Sequence, residues 1–280
     1  AAFIYRSSNL VDWKFLNLLY QSKPEDQEGN WECPNFFALG GKRVLVYSPH
    51  DRVRYYTGDL QPDYTFKPGY HGILDHSPNF YAPNCLLDGQ ERRILWGWIR
   101  EVKGPGWNGA FTLPRILTSR PDGSLGMEPA PEIASLRESH KKIENQTWNT
   151  RSTVLDERET GCVEIQAVFE AGPGESFGLR LRPAPDSEVT VPITWNRSTT
   201  QMTIGGQTFD FALDTGEKNL ELRVFVDKLI VEVYVNRRAC CTLVVPDLRP
   251  DRLVIEGAVE KGPARLVSLD TWAMKSIWEK

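Results

Sequence analysis

Glu32 lies in the run Gly-Asn-Trp-Glu-Cys-Pro-Asn-Phe-Phe (residues 29–37), between an indole and a thiol, with Pro34 two positions on. A carboxyl group among apolar neighbours keeps its proton to higher pH, because the charged form loses hydration. Trp31 and Cys33 are expected to give Glu32 that surrounding and make it a proton donor, with Pro34 stiffening the turn that presents it. Acid–base chemistry on a substrate needs a second group, and Asp51, Asp63, Asp75 and Asp88 are the aspartates on offer nearby. Asp63 ("QPDY") and Asp88 ("LLDGQ") read as turn residues. Asp51 closes the loop-like "YSPHD", which leaves Asp75 the best placed. Taken alone, Glu32 reads equally well as a partly solvated glutamate at a strand start. His50, His71, His76 and His140 show no ligand spacing, so the sequence calls for no metal and no cofactor.

Aromatic rings grip sugars but also fill cores. Trp107, set between Gly106 and Gly109, reads as an exposed, positioned ring suited to a sugar face. Trp96 and Trp98 alternate with Leu95 and Gly97 and so share one strand face, where core packing is the favoured reading. Tyr81 fits a core or a pocket equally.

The elements that must hold these groups are almost wholly β. Short runs such as "KRVLVYSP", "VRYYTGDL", "RRILWGWI", "FTLPRILTS" and "VEIQAVFE" are broken at short intervals by Gly, Pro, Asp and Asn, the pattern of an antiparallel sandwich or propeller. "RPDGSLG" (120–126) is a strong turn. Residues 1–130 hold about ten strands, or about two and a half four-stranded blades. Around 137–150, prolines give way to a charged stretch with helical spacing at Ile133, Leu136 and Ile143, which predicts a linking helix and connector. The expected domains are propeller blades over 1–137, a linker over 138–150 and a β-sandwich over 151–280. In the last of these, Leu220, Leu222, Val224 and Val226 share one face, as do Val231, Val233 and Val235 beyond the step at Asp227-Lys228.

A chain of 280 residues with a formal charge of −4 and no basic block is a poor partner for nucleic acid or an anionic membrane. No apolar run approaches the roughly 18 residues a membrane span needs. The first residues lack the basic flank and apolar stretch of a signal peptide. Sequons at Asn145 and Asn196 matter only in a chain that a eukaryote secretes. The compartment stays open, an extracellular one being favoured. The five cysteines have no metal-type spacing, and Cys240-Cys241 reads as core filler.

Trp31-Glu32-Cys33-Pro34 matches the acid/base motif of glycoside hydrolase family 32, the invertases, levanases, inulinases and related β-fructosyl enzymes. "YRSSNLVDWKF" (5–15), "FYAPNCLLDGQERRILWGWIRE" (80–101), "GWNGAFTLPRIL" (106–117), "PAPEIASLR" and "LRVFVDKLIVEVYVN" (222–236) resemble further family segments in order. The resemblance implies an all-β chain, part of a five-bladed propeller followed by a β-sandwich. It also implies cleavage of β-fructofuranosides, sucrose or fructans, with retention at the anomeric carbon. Glu32 would be the acid/base, with Trp31 and Cys33 among the substrate contacts. Tyr81 and Trp107 match an aromatic pair shaping the fructose pocket, and Asp75 an acidic position that hydrogen-bonds substrate. The family's "NDPNG" nucleophile motif and "RDP" motif do not occur in these 280 residues, and Asn35 stands where Asp is commoner. The resemblance thus implies a half-site completed by an upstream segment, a second polypeptide or a second copy. The alternative is a fructan-binding protein without catalysis.

Overall fold

The computed structural model describes residues 1–24, 30–149, 151–172, 175–248 and 251–278. The chain divides into two compact units, Ala1–Ala130 and Pro131–Lys280. The sequence had placed the first boundary seven residues later.

In the first unit a hairpin of β1 (Ala2–Arg6) and β2 (Lys14–Tyr20) precedes two antiparallel sheets. One is the four-stranded meander β3 (Glu32–Leu39), β4 (Lys42–Ser48), β5 (Arg54–Leu60) and β6 (Phe66–Ile73). The other contains β7 (Phe80–Leu87), β8 (Arg93–Gly104), β9 (Trp107–Phe111), β10 (Arg115–Ser119) and β11 (Leu125–Pro129), in the order β11-β10-β8-β7, with β9 folded back on β8. Each is a propeller blade. Tight turns set the registers. Gly40 and Gly41, both at positive φ, close the β3–β4 hairpin with Leu39 opposite Lys42, the two-residue turn whose twist matches that of the strands. Gly123, at φ 88°, closes the 120–126 turn, its N–H bonded to the Arg120 carbonyl. Leu19, Tyr20, Trp31, Leu45, Tyr47, Tyr56 and Phe66 form one buried cluster beneath the hairpin and the first blade.

The second unit is a sandwich of two six-stranded antiparallel sheets. Its strands are β12 (Arg137–Trp148), β13 (Ser152–Arg158), β14 (Cys162–Glu170), β15 (Ser176–Arg182), β16 (Val191–Asn196), β17 (Gln201–Ile204), β18 (Gln207–Asp210), β19 (Asn219–Asp227), β20 (Ile230–Val235), β21 (Ala239–Val244), β22 (Leu253–Lys261) and β23 (Ala264–Met274). The sheet orders are β12-β23-β14-β19-β20-β21 and β13-β22-β15-β16-β17-β18. The alternate valines and leucines of β19 and β20 point into one core shared by both sheets, as their period-2 pattern requires, and Cys241 lies with them. Asn236 and Arg237, both left-handed, make the tight turn into β21.

The expected linker at 138–150 is corrected. Helix is confined to a 3-10 turn at Pro131–Leu136, and 138–148 belong to β12, paired along its length with β23; Thr150 lies outside the described residues. β12 is an edge strand, and its charged residues are exposed along most of its length. A sequence that protects an edge with charge hides the alternation by which a strand is read.

Candidate active site

Glu32 opens β3 opposite Ser48, at a β-bulge: the ladder slips one residue between Glu32 and Asn35, and Cys33 adopts φ 47°. Pro34, which has no N–H to contribute to a ladder, fits such a break. Tyr81 stands at a matching bulge in β7, where the ladder slips between Tyr81 and Asn84 and Ala82 has φ 41°. The Asn35 amide ties the two bulges together. Its Nδ2 donates to the Cys33 carbonyl at 3.0 Å and to the Pro83 carbonyl at 2.9 Å.

These two distortions bring Glu32 and Tyr81 together. The Tyr81 hydroxyl donates to Glu32 Oε2 at 2.9 Å and accepts the His50 backbone N–H at 3.0 Å. Burial, followed by the bond to Glu32, pushes the Tyr81 phenol above its ordinary range, so it remains a donor at neutral pH. The His50 imidazole brings Nε2 to 3.7 Å from Glu32 Oε1, and His50 itself holds φ 66°. The Arg100 guanidinium lies 4.4 Å above the Tyr81 ring and donates from Nε to the Pro78 carbonyl at 3.1 Å. The Glu32 side chain keeps 37% of its surface open. One carboxyl oxygen is held by a phenol; the other faces the His50 imidazole, and the side chain as a whole is partly open to solvent. This geometry suits a group that delivers and retrieves a proton.

The expected apolar wall around Glu32 is absent. Trp31 points the other way and is buried, its ring stacked on Tyr47 at 3.8 Å and on Tyr20 at 5.7 Å. Cys33 is exposed. Successive strand side chains face opposite sides of the sheet, so sequence neighbours of Glu32 are not its spatial neighbours. Asp75, expected at a substrate, is fully buried and paired to equally buried Arg115 at 2.9 Å; Arg115 in turn lies over the Phe80 ring. Of the other aspartates, Asp63 accepts from Thr65 and Asp88 pairs with Arg92. Trp107 is half-exposed, and an added Cβ on Gly104 would meet its indole at 2.2 Å, so the ring lies down on that glycine. Trp98, read as core, is 40% exposed.

Sequence reasoning singled out Glu32 and Tyr81, and the fold joins them; it missed His50, Arg100 and the bridging role of Asn35. A signal for the pairing existed. Glu-Cys-Pro-Asn (32–35) and Tyr-Ala-Pro-Asn (81–84) are the same bulge written twice, at the first strand of two successive blades.

The family model described as "Glycosyl hydrolases family 32 N-terminal domain" matches residues 1–129, and the one described as "Glycosyl hydrolases family 32 C terminal" matches 132–273. Sucrose-6-phosphate hydrolase of Escherichia coli is 29% identical over 256 residues, 83% of this chain and 53% of that protein. Levanase of Bacillus subtilis (strain 168) is 26% identical, covering 98% of this chain and 47% of its own length. The structure of fructan 1-exohydrolase IIa from Cichorium intybus in complex with 1-kestose superposes with a TM-score of 0.84 at 19% identity, over 98% of this chain and 67% of that one. The chain spans about half the length of the curated relatives it matches.

Proposed function

The chain belongs to glycosyl hydrolases family 32, and from that premise we propose that its first unit supplies the proton-transferring half of a site that cleaves β-fructofuranosides, sucrose or fructans, with retention of configuration. The observation that carries this reading is the Tyr81–Glu32 hydrogen bond, itself braced by the His50 N–H.

In the first step Glu32, protonated on its open oxygen, gives that proton to the departing glycosidic oxygen as the C–O bond breaks. A carboxylate then bonds to the anomeric carbon and holds the fructosyl group as an ester. In the second step the Glu32 carboxylate, steadied by the Tyr81 hydroxyl, takes a proton from water, whose oxygen displaces the ester. Such double displacement places two carboxyl groups about 5–5.5 Å apart. Asp63, Asp75 and Asp88 are engaged elsewhere; following the family resemblance, the attacking carboxylate in this proposal comes from sequence beyond these 280 residues, on the same polypeptide or a second one, or else from a second copy of this chain. Phe3, Tyr5, Trp13 and Phe15 on the first hairpin, each half-exposed or more, support such a covering segment.

Glu32→Gln tests the assignment in protein that hydrolyses sucrose or inulin, whether this chain alone or together with a polypeptide that supplies the second carboxylate. Loss of the general acid is expected to slow hydrolysis roughly 10²–10⁴-fold. An aryl β-fructoside, whose leaving group needs no proton, should lose far less in its first step. Equal losses on both substrates would remove Glu32 from the acid role.

A further inference from the structure

We propose that Arg100 is a positioning residue for the proton transfer at Glu32: its guanidinium, pinned over the Tyr81 ring, aims the phenol at the carboxylate and strengthens it as a donor. The inference rests on the function proposed above and extends that site to a residue that acts through Tyr81.

The sheet puts Arg100 there. Tyr81 on β7 pairs with Trp98 on β8. Arg100, two residues further along β8, therefore lies diagonally across from Tyr81 on the same face. Its backbone N–H donates to the Asn79 carbonyl at 2.8 Å. The β8–β9 ladder slips between Ile99 and Lys103, and Glu101 takes φ 68°. This is a third bulge beside the site, and bulges re-aim the side chains next to them.

The segment that leads into Tyr81 is stiff. Asp75, paired to Arg115, accepts the Ser77 N–H at 3.0 Å, and Ser77 Oγ accepts the Asn79 N–H at 3.1 Å. Asn79 Nδ2 donates to Glu101 Oε2 at 3.0 Å. Arg100 Nε donates to the Pro78 carbonyl at 3.1 Å, and a terminal guanidinium nitrogen reaches the same oxygen. Two nitrogens fixed to one carbonyl hold the guanidinium where it lies, 4.4 Å from the centre of the Tyr81 ring.

A cation over a ring face is drawn to its π electrons, and drawing density from a phenol makes its hydroxyl a better donor. Burial drives the Tyr81 phenol up, and the Arg100 charge opposes that rise. Tyr81 keeps its proton throughout the reaction. What Arg100 changes is how firmly that proton is offered to Glu32 once Glu32 is a carboxylate, as it is between the two steps.

One test needs only the chain itself, labelled at tyrosine ¹³Cζ, with the Tyr81 signal assigned through Tyr81→Phe. That resonance follows the hydrogen bond of its hydroxyl. Arg100→Met is expected to move it at neutral pH, and Arg100→Lys, which keeps a charge, to move it less. The other test uses protein that hydrolyses an aryl β-fructoside, this chain alone or together with a polypeptide that supplies the second carboxylate. Arg100→Met should slow the second step about tenfold and Arg100→Lys about threefold. In a Tyr81→Phe background Arg100→Met should cost nothing more, because the hydroxyl it serves is gone. An unmoved Tyr81 resonance, equal losses for Met and Lys, or an equal loss on top of Tyr81→Phe overturns the role of Arg100 and leaves the proposed function standing. A lower urea midpoint with rates and resonance held makes Arg100 a strut only and overturns it likewise. Should Glu32→Gln keep the parent rate, the proposed function fails and this role with it.

Discussion

Tyr81 is the residue on which the chemistry of Glu32 turns. A donor aimed at a carboxylate favours its charged form, and a hydrogen bond to a charged group contributes about 1.5–3 kcal/mol. Removing the phenol oxygen therefore destabilises ionised Glu32. In an active form of the protein, Tyr81→Phe is expected to slow hydrolysis about 10–100-fold, most of it in the second step, where Glu32 acts as a carboxylate. Burst kinetics on an aryl β-fructoside, which separate the two steps, check this. Unchanged rates in both steps would reduce Tyr81 to a structural neighbour. The residue type of Glu32 and its motif were legible in the sequence, but its surroundings were not. Trp31 and Cys33 flank it in the chain, yet one is buried against Tyr47 and the other is exposed, while its real companions come from residues 50 and 81.

At the scale of elements, the unit of design is a bulge repeated in successive blades. In both, a left-handed residue precedes a proline, the ladder slips, and the side chain just before the slip is the functional one. Bulges re-aim side chains at sites of this kind. They also defeat register counting: from the Gly40–Gly41 turn, Glu32 counts back to a position opposite Pro49, but the slip sets it opposite Ser48. Asn35 holds the arrangement because both its partners are carbonyls, and the two hydrogens of its amide N–H₂ serve them at once. Asn35→Ala leaves two carbonyls without that donor and unties β3 from β7. It is expected to lower stability by about 1–3 kcal/mol, seen as a lower urea midpoint, and to loosen the Tyr81–Glu32 contact, seen as a loss of rate in the same step as Tyr81→Phe. Stability loss with unchanged rates would confine Asn35 to a structural role. The edge strand β12 shows the opposite limit of legibility: its ladder is regular apart from one slip, but charge masks its period.

Across the whole chain, a buried histidine that stays neutral when folded sets the first unit apart from the second, and acid separates them. In the first unit burial pushes His76 down to about 4, against the pull of neighbouring Asp75. A histidine that is neutral when folded and charged when unfolded stabilises above its unfolded value near 6.5, and that contribution is lost as pH falls toward 4, in all on the order of 3 kcal/mol. In the sandwich, burial alone would raise Glu164 and Asp156. The hydrogen bonds and charges of Arg137, Arg223 and Gln166 around Glu164, and of Lys141, Thr271 and Arg158 around Asp156, outweigh it and hold both below their ordinary values. Groups of that sign keep their full contribution above the unfolded carboxyl range near 4 and lose it only below. Acidification from pH 7 to 5 is therefore expected to weaken residues 1–130 while sparing 131–280. Hydrogen exchange followed by mass spectrometry should show faster exchange in the blade strands at pH 5, after correction for intrinsic rates, with the sandwich strands unchanged. His76→Gln should flatten the pH dependence of the first unit alone. Parallel weakening of both units, or a pH response that survives His76→Gln, would place the acid sensitivity elsewhere.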